Sequence, residues 1–271
     1  MPAEPRTLAP PERRIAEVKA VERIGAYDVV TARDSIGPAD PRPGQFYMLA
    51  TGERWGGGSD ERPYLPRAFS FARLRPLAGG QGADLQFLFE EVGPGTRRLG
   101  ELEAGDSLAL LGPLGIGFTA PDAGRWPLLV GGGIGVAPLL CWDDELRARG
   151  TEAPVMLGFR SAAHAEAARL FGGEPSVCTD DGSVGRRALV TEPLREELSR
   201  DPHVVVYACG PEPMLEAVKA LCGELGVPAQ LALEAGMACG YGACFGCVVP
   251  TVDGYARVCI DGPVFAAEQL A

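Results

Sequence analysis

Long apolar runs, histidine and basic charge are what this sequence has least of. No stretch of its 271 residues approaches the ~20 consecutive apolar positions that carry a helix across a bilayer. The opening, Met1 to Glu12, is rich in proline and has no apolar segment of the secretory kind. A soluble, cytoplasmic protein whose thiols stay reduced is therefore expected, with no membrane partner. Only 2 histidines occur, His164 and His203; neither sits in a pattern that marks a general base, and both read as ordinary surface or strand-end residues. Lys and Arg number 25 against 36 Asp and Glu, for a formal charge of -11 and a pI of about 4.8. That balance disfavours nucleic acid and leaves small molecules and proteins as partners.

Cysteine, by contrast, is concentrated. Of 8 cysteines, Cys141, Cys178, Cys209 and Cys222 stand singly, while Cys239, Cys244 and Cys247 follow one another closely and Cys259 lies a short way beyond. The run C-x4-C-x2-C with one distant fourth cysteine is the spacing of plant-type [2Fe–2S] proteins. A structural zinc site more often shows two knuckles of similar spacing. A disulfide framework is the third alternative, and a chain of this size has no need of one. Spacing favours Cys239, Cys244, Cys247 and Cys259 as iron ligands, with Gly236, Gly240, Gly242 and Gly246 letting the backbone turn tightly around the group they hold. The scattered cysteines read as packing residues.

The rest of the chain divides by pattern. After a leader at 1–12, Arg14 to Arg33 alternates apolar and charged residues around Gly25-Ala26 and predicts a β-hairpin. Strands follow at Gln45–Thr51, Arg67–Arg73, Asp84–Val92 and Ser107–Leu111. A Gly-rich connection at Arg54–Pro66 and a short helical stretch at Arg97–Leu102 separate some of them, which suggests a closed antiparallel barrel. From Trp126 strands alternate with helices: strands at 127–130, 155–159, 176–179, 204–208 and 230–233, helices at 139–149, 162–170, 192–199 and 211–225. Such alternation implies a parallel sheet covered on both faces. The expected fold is multi-domain, β plus α/β: an antiparallel barrel at 13–120, a parallel-sheet α/β domain at 121–233 and a small cysteine-bearing lobe at 234–271.

Gly131-Gly-Gly-Ile-Gly-Val-Ala-Pro138 lies between an apolar strand and a helix, where backbone can approach a dinucleotide diphosphate and the helix offers N–H groups. It does not match G-x-G-x-x-G strictly, and a tight turn that binds nothing is the plain alternative. A second strand ending at Cys209-Gly210-Pro211 would finish at the same sheet edge, where ligands sit in such folds. Arg67-Ala-Phe-Ser70 and Gly95-Thr96 are weak signals taken singly.

In their order along the chain these motifs resemble the ferredoxin–NADP reductase superfamily. With Leu233-Glu-Ala-Gly-Met-Ala-Cys239 and the cysteines that follow, they resemble more closely the electron transfer subunits of NAD-dependent, class B dihydroorotate dehydrogenases. The resemblance implies that the barrel binds FAD through Arg67, Ala68, Phe69 and Ser70. Leu88, Phe89 and Glu90 would lie along the flavin, and Gly95 and Thr96 would donate to its diphosphate. It implies NAD(H) at Gly132, Gly133, Cys209, Gly210 and Pro211, a [2Fe–2S] cluster on the four clustered cysteines, and no catalytic acid or base of the chain's own. The implied partner is an FMN-containing catalytic subunit that oxidises dihydroorotate, in a heterotetramer with two of each chain. The sequence departs from the family at Ala68, where proline is usual, and at Ala235-Gly236, where Glu-Arg is usual. The small subunit of an NADH-dependent ferredoxin:NADP oxidoreductase or sulfide dehydrogenase resembles the same layout, but its first cluster ligand tends to be aspartate, where this chain has Cys239. A zinc-stabilised nucleotide-binding module is the alternative outside enzymes. Arg160, after the second strand of the α/β domain, could pair a 2′-phosphate, whereas its Gly-Phe-Arg-Ser setting looks like that of the NAD-using family.

Overall fold

The structure is a computed structural model and describes residues 11–51 and 65–271; the leader up to residue 10 and most of the Gly-rich connection lie outside the described residues. Six strands, β1 (Glu12–Ile24), β2 (Tyr27–Asp34), β3 (Phe46–Thr51), β4 (Arg67–Pro76), β5 (Ala83–Phe89) and β6 (Ser107–Leu114), close into an antiparallel barrel in the order β1-β2-β5-β4-β3-β6. A short helix, α1 (Pro94–Gly100), precedes β6. The alternation of β1 explains its place: Arg14, Ala16 and Val18 are buried while Arg13, Ile15 and Glu17 face out. Closure leaves no free edge among these strands.

β3 is buried along its whole length, and two different cores account for it. Tyr47 and Leu49 point into the barrel with Phe71 and Phe87. Phe46 and Met48, on the other face, pack with Cys247, Val258 and Cys259 of the C-terminal lobe. One strand thus joins the barrel to the cysteine lobe.

The second half is a seven-stranded sheet in the order β10-β9-β8-β7-β11-β12-β15. It comprises β7 (Trp126–Gly132), β8 (Val155–Phe159), β9 (Ser176–Thr179), β10 (Arg186–Arg187), β11 (Val204–Cys209) and β12 (Ala229–Ala232), all parallel. Helices α2 (Val136–Ala148), α3 (Ala162–Ala165), α4 (Thr191–Arg200) and α5 (Glu212–Leu225) connect them. Both faces are covered, so the central strands are apolar throughout: Val205, Tyr207 and Cys209 join one core, Val204, Val206 and Ala208 the other. The expected helix at 162–170 is α3 followed by a 3₁₀ turn, Glu166–Leu170.

Beyond β12 the chain forms a two-stranded ribbon, β13 (Val248–Thr251) with β14 (Gly254–Arg257), a short α6 (Val258–Asp261), and β15 (Val264–Ala266). β15 returns to the large sheet and pairs antiparallel with β12. The cysteine lobe is thereby tied to the sheet at one end and to the barrel at the other.

Candidate functional site

The C-terminal edge of the parallel sheet faces the barrel across two cavities, both lined by Ile134. The larger, about 590 Å³, takes Tyr27, Glu90 and Val92 from the barrel side and Gly132, Gly133, Pro211 and Met214 from the sheet edge. The smaller, about 240 Å³, lies between Ala68, Phe69, Ser70 and Leu88 of the barrel and Cys209 and Glu234 at the sheet edge, with Ala235 and Met237 completing the wall.

The structure therefore sorts the residues singled out in the sequence. Ala68, Phe69, Ser70, Leu88 and Cys209 meet at the smaller cavity; Glu90, Gly132, Gly133 and Pro211 meet at the larger. Gly210 fits tightly between them, since a Cβ there would lie 2.9 Å from Met214 and 3.1 Å from Gly132. Phe89 faces neither cavity. It is buried in the barrel core, its ring 5.7 Å from that of Phe69, as the strand alternation between Leu88 and Phe89 requires.

Arg67 and Gly95 stand outside both cavities and against each other: a Cβ on Gly95 would come within 2.7 Å of Arg67 Nε. Only glycine lets the guanidinium lie on the first turn of α1, where backbone N–H groups lack helical acceptors. Thr96 behaves differently from the expected hydroxyl donor: its Oγ1 donates to the Gly93 carbonyl (3.1 Å) and accepts from the N–H groups of Val92 (2.8 Å) and Gly93. It shapes the loop, and its hydroxyl proton is already committed.

In the glycine run, Gly133 alone combines positive φ (53°) with open space where a Cβ would stand. At Gly131, Gly132 and Gly135 a Cβ would instead strike Leu157, Met214 and the Cys209 carbonyl. Three of the four glycines thus serve packing, and one opens on the larger cavity.

Two groups here escaped the sequence reading. Glu234, two residues beyond β12, lines the smaller cavity, and burial raises its carboxyl above the usual range. A carboxylate placed just past an apolar parallel strand was the signal. His164, read as an ordinary surface residue, lines the larger cavity and packs edge-on against Tyr27 at 5.7 Å. The Tyr27 hydroxyl is pushed up, by burial first and by Glu90 second. The Cys209 thiol is likewise pushed well up by burial, then by Glu234, so it stays protonated and neutral.

The cysteine loop is built unlike either cavity. From Cys239 to Cys247 it contains no helix or strand. Gly240, Gly242 and Phe245 all have positive φ, Phe245 being the one such residue other than glycine among the described residues; a bulky side chain in that region stores of order 1–3 kcal/mol of strain. The sulfurs influence one another. Burial works to raise the Cys239 thiol, but the N–H groups of Tyr241 and Cys244, the Cys244 side chain and the Ala243 N–H together pull it down to about 6. Burial and then the Cys247 sulfur push Cys259 up to about 12, and the Cys259 N–H donates to Cys247 Sγ at 3.4 Å. Among the described residues no three donors converge as one metal ion would require. The Cys239, Cys247 and Cys259 sulfurs act on one another and Cys244 acts on Cys239, so the four thiols lie close enough to influence each other, as the C-x4-C-x2-C spacing of a [2Fe–2S] centre asks.

Comparison with known proteins agrees with this geometry. Residues 234–271 match the family model of the iron-sulfur cluster binding domain of dihydroorotate dehydrogenase B. An electron transfer subunit of dihydroorotate dehydrogenase B (NAD(+)) from Geobacillus thermodenitrificans is 40% identical over 237 residues, 84% of this chain and 86% of its own. The chain belongs to that family. The same subunit from Clostridium acetobutylicum is 32% identical over 93% of this chain and 95% of its own. The solved structure of an NADH-dependent reduced ferredoxin-NADP oxidoreductase matches with a TM-score of 0.76 at 24% identity, over 95% of this chain and 90% of its own. Phthalate dioxygenase reductase matches with a TM-score of 0.58 at 15% identity, over 89% and 87%. These last two show a common fold, and within it the family places the cysteine lobe.

Proposed function

We propose that the chain carries electrons between a [2Fe–2S] cluster on Cys239, Cys244, Cys247 and Cys259 and a nicotinamide dinucleotide, by way of FAD, as the electron transfer subunit of an NAD-dependent dihydroorotate dehydrogenase in pyrimidine biosynthesis. Bound FAD would supply the exchange between paired and single electrons that neither other group performs. The chain's own residues place it. Arg67 and the first turn of α1 would hold the diphosphate; Ala68, Phe69, Ser70 and Leu88 would line the ring system; Gly133 and Pro211 would admit NAD(H) to the larger cavity. The functional division is 13–120 for flavin, 121–233 for dinucleotide and 234–271 for the cluster.

One observation carries this reading: the site is continuous. Ile134 lines both cavities, and Met237, two residues before Cys239, lines the smaller. On this reading dinucleotide, flavin and cluster would follow one another through adjoining walls. Buried apolar groups such as Phe46 and Leu88 line the middle of it.

The outer end of this series is the cysteine lobe, and there the surface is apolar. Phe245 is 65% and Tyr255 81% exposed, with Tyr241 and the exposed Cys244 near them in the chain. Arg257 lies 5.2 Å over the Phe245 ring. Exposed aromatics beside an arginine suit a protein interface, and the occupant we propose is the FMN-containing catalytic subunit, two of each chain in the assembly. No helix among the described residues is long and apolar enough to cross a membrane, and the cytoplasm is the proposed compartment.

The chain, purified and reconstituted without air, should contain FAD and equal iron and acid-labile sulfide, give an EPR signal on reduction and reduce artificial acceptors with NADH. Dihydroorotate oxidation should need the partner. A homogeneous preparation of this chain that oxidised dihydroorotate, or one that held stoichiometric zinc, would overturn the proposal.

A further inference from the structure

Arg160 follows directly on β8, the second strand of the α/β domain. In dinucleotide-binding folds of this class the end of that strand is where the ribose 2′ position is read, an acidic residue taking the hydroxyl and an arginine the 2′-phosphate. Taken alone, Arg160 favours the phosphorylated dinucleotide. Its surroundings reverse that.

Arg160 Nη2 donates to both carboxylate oxygens of Glu90, at 2.8 and 2.9 Å, and also meets His164 Nε2 at 2.8 Å. A guanidinium can only donate, so Nε2 accepts; the ring proton then sits on Nδ1, which faces Ser161 Oγ at 2.9 Å. Glu90 comes from the other half of the molecule, one residue beyond Phe89, whose ring is fixed in the barrel core. Asp180, just past β9, brings a second carboxylate to the same cavity. The carboxylates and guanidinium lining that cavity are Glu90, Asp180 and Arg160, so a dianionic phosphate would meet two acids against one arginine that is already paired.

We infer that Glu90, supplied by the barrel, occupies the Arg160 guanidinium and makes the larger cavity discriminate against a nicotinamide dinucleotide that carries a 2′-phosphate. The inference rests on the reading of that cavity as the dinucleotide cleft. The pair is partly exposed, 65% for Arg160 and 31% for Glu90, and exposed pairs are weak. The discrimination is therefore of modest size and should yield to a single substitution.

Two probes that differ only by the 2′-phosphate, adenosine 2′,5′-bisphosphate and 5′-AMP, test it by calorimetry on the full chain loaded with flavin and cluster. The wild type should bind 5′-AMP the more tightly. Glu90→Gln should shift the ratio of the two dissociation constants toward the bisphosphate by about tenfold, and Glu90→Gln/Arg160→Gln should lose that gain. Arg160→Gln alone should leave the ratio within about twofold, since the guanidinium is already engaged. A ratio unmoved in Glu90→Gln, a gain that survives removal of Arg160, or a large loss of bisphosphate binding in Arg160→Gln alone would each overturn the inference. Should neither probe bind the wild type, the cleft itself has been misread; binding of 5′-AMP with an unresponsive ratio sinks the Glu90 role alone.

Discussion

Residues 204–209 and residues 239–247 each deliver cysteine to the site, and they reach their conformations by opposite means. Val204 to Cys209 are all buried, and β11 is hydrogen-bonded on both sides, to β7 and to β12. The position of Cys209 follows from register alone, opposite Gly131 and Ala232. Cys239 to Cys247 have no such ladder, carry strain at Phe245 and expose Tyr241 and Cys244. They meet the rest of the molecule at close approaches, where a Cβ on Gly240 would strike Met48 and one on Gly242 would strike Ile260, through buried Cys247, and through a few bonds such as Val258 N–H to the Cys247 carbonyl. The first region is ordered by the chain's own burial. The second has less of its own to hold it, chiefly the burial of Cys247 against Met48 and Val258 and the Arg257 bond to the Gly242 carbonyl, so a metal bound there would add its binding energy to the folding of the loop.

The sharpest way to break this contrast is to remove one sulfur from the loop. Cys247→Ser should abolish the iron and acid-labile sulfide and open 236–247 to limited proteolysis, while a protease-resistant fragment spanning the barrel and parallel sheet persists and still binds FAD. Survival of the cluster would mean that the clustered sulfurs are not its ligands. The converse change belongs in the barrel. Asp34 and Arg14 are both buried and joined by three hydrogen bonds of 2.7 to 3.1 Å, and Asp34 also accepts from the Gly37 N–H. Asp34→Ala leaves the guanidinium buried without its counter-charge and should cost about 3–5 kcal/mol in urea denaturation. Iron per folded molecule should not change. A loss below about 1 kcal/mol would show that water reaches this pair, as it does for exposed ones.

The same contrast decides what could be read from the sequence. Barrel and sheet were legible because burial writes itself into local pattern: the alternation of β1, the Gly25-Ala26 turn, and apolar strands ending at glycine each need only near neighbours. The four clustered cysteines stand out for a different reason, since spacing along the chain bounds which thiolates could share a cluster. What could not be seen depends on the distant meeting of elements. Glu90 and Arg160 are 70 residues apart, and His164, held by Ser161 and Arg160 of its own domain, meets the barrel through Tyr27. β15 is three residues long, too short for any period to show, and its partner is chosen by the open edge of β12. The β13–β14 ribbon turns at Val252-Asp253, with Gly254 at positive φ (127°) opening the second strand, and strands of four residues each are too short for an alternation to mark it.

The smallest effect comes from Cys222, a cysteine away from both cavities and the cluster, and it completes the contrast. Cys222 is buried on α5 among Leu215, Val218 and Leu221. Burial alone pushes its thiol up to about 12, so at neutral pH it is a protonated, small apolar group, neither nucleophile nor ligand. Cys222→Ala removes one sulfur's worth of packing and should cost about 1–2 kcal/mol through the small cavity left behind, read as a lower urea midpoint at unchanged slope. Flavin content, iron content and NADH–acceptor activity should match the wild type. A fall in iron would mean that this sulfur communicates with the loop, and the division between thiols that pack and thiols that bind would have to be redrawn.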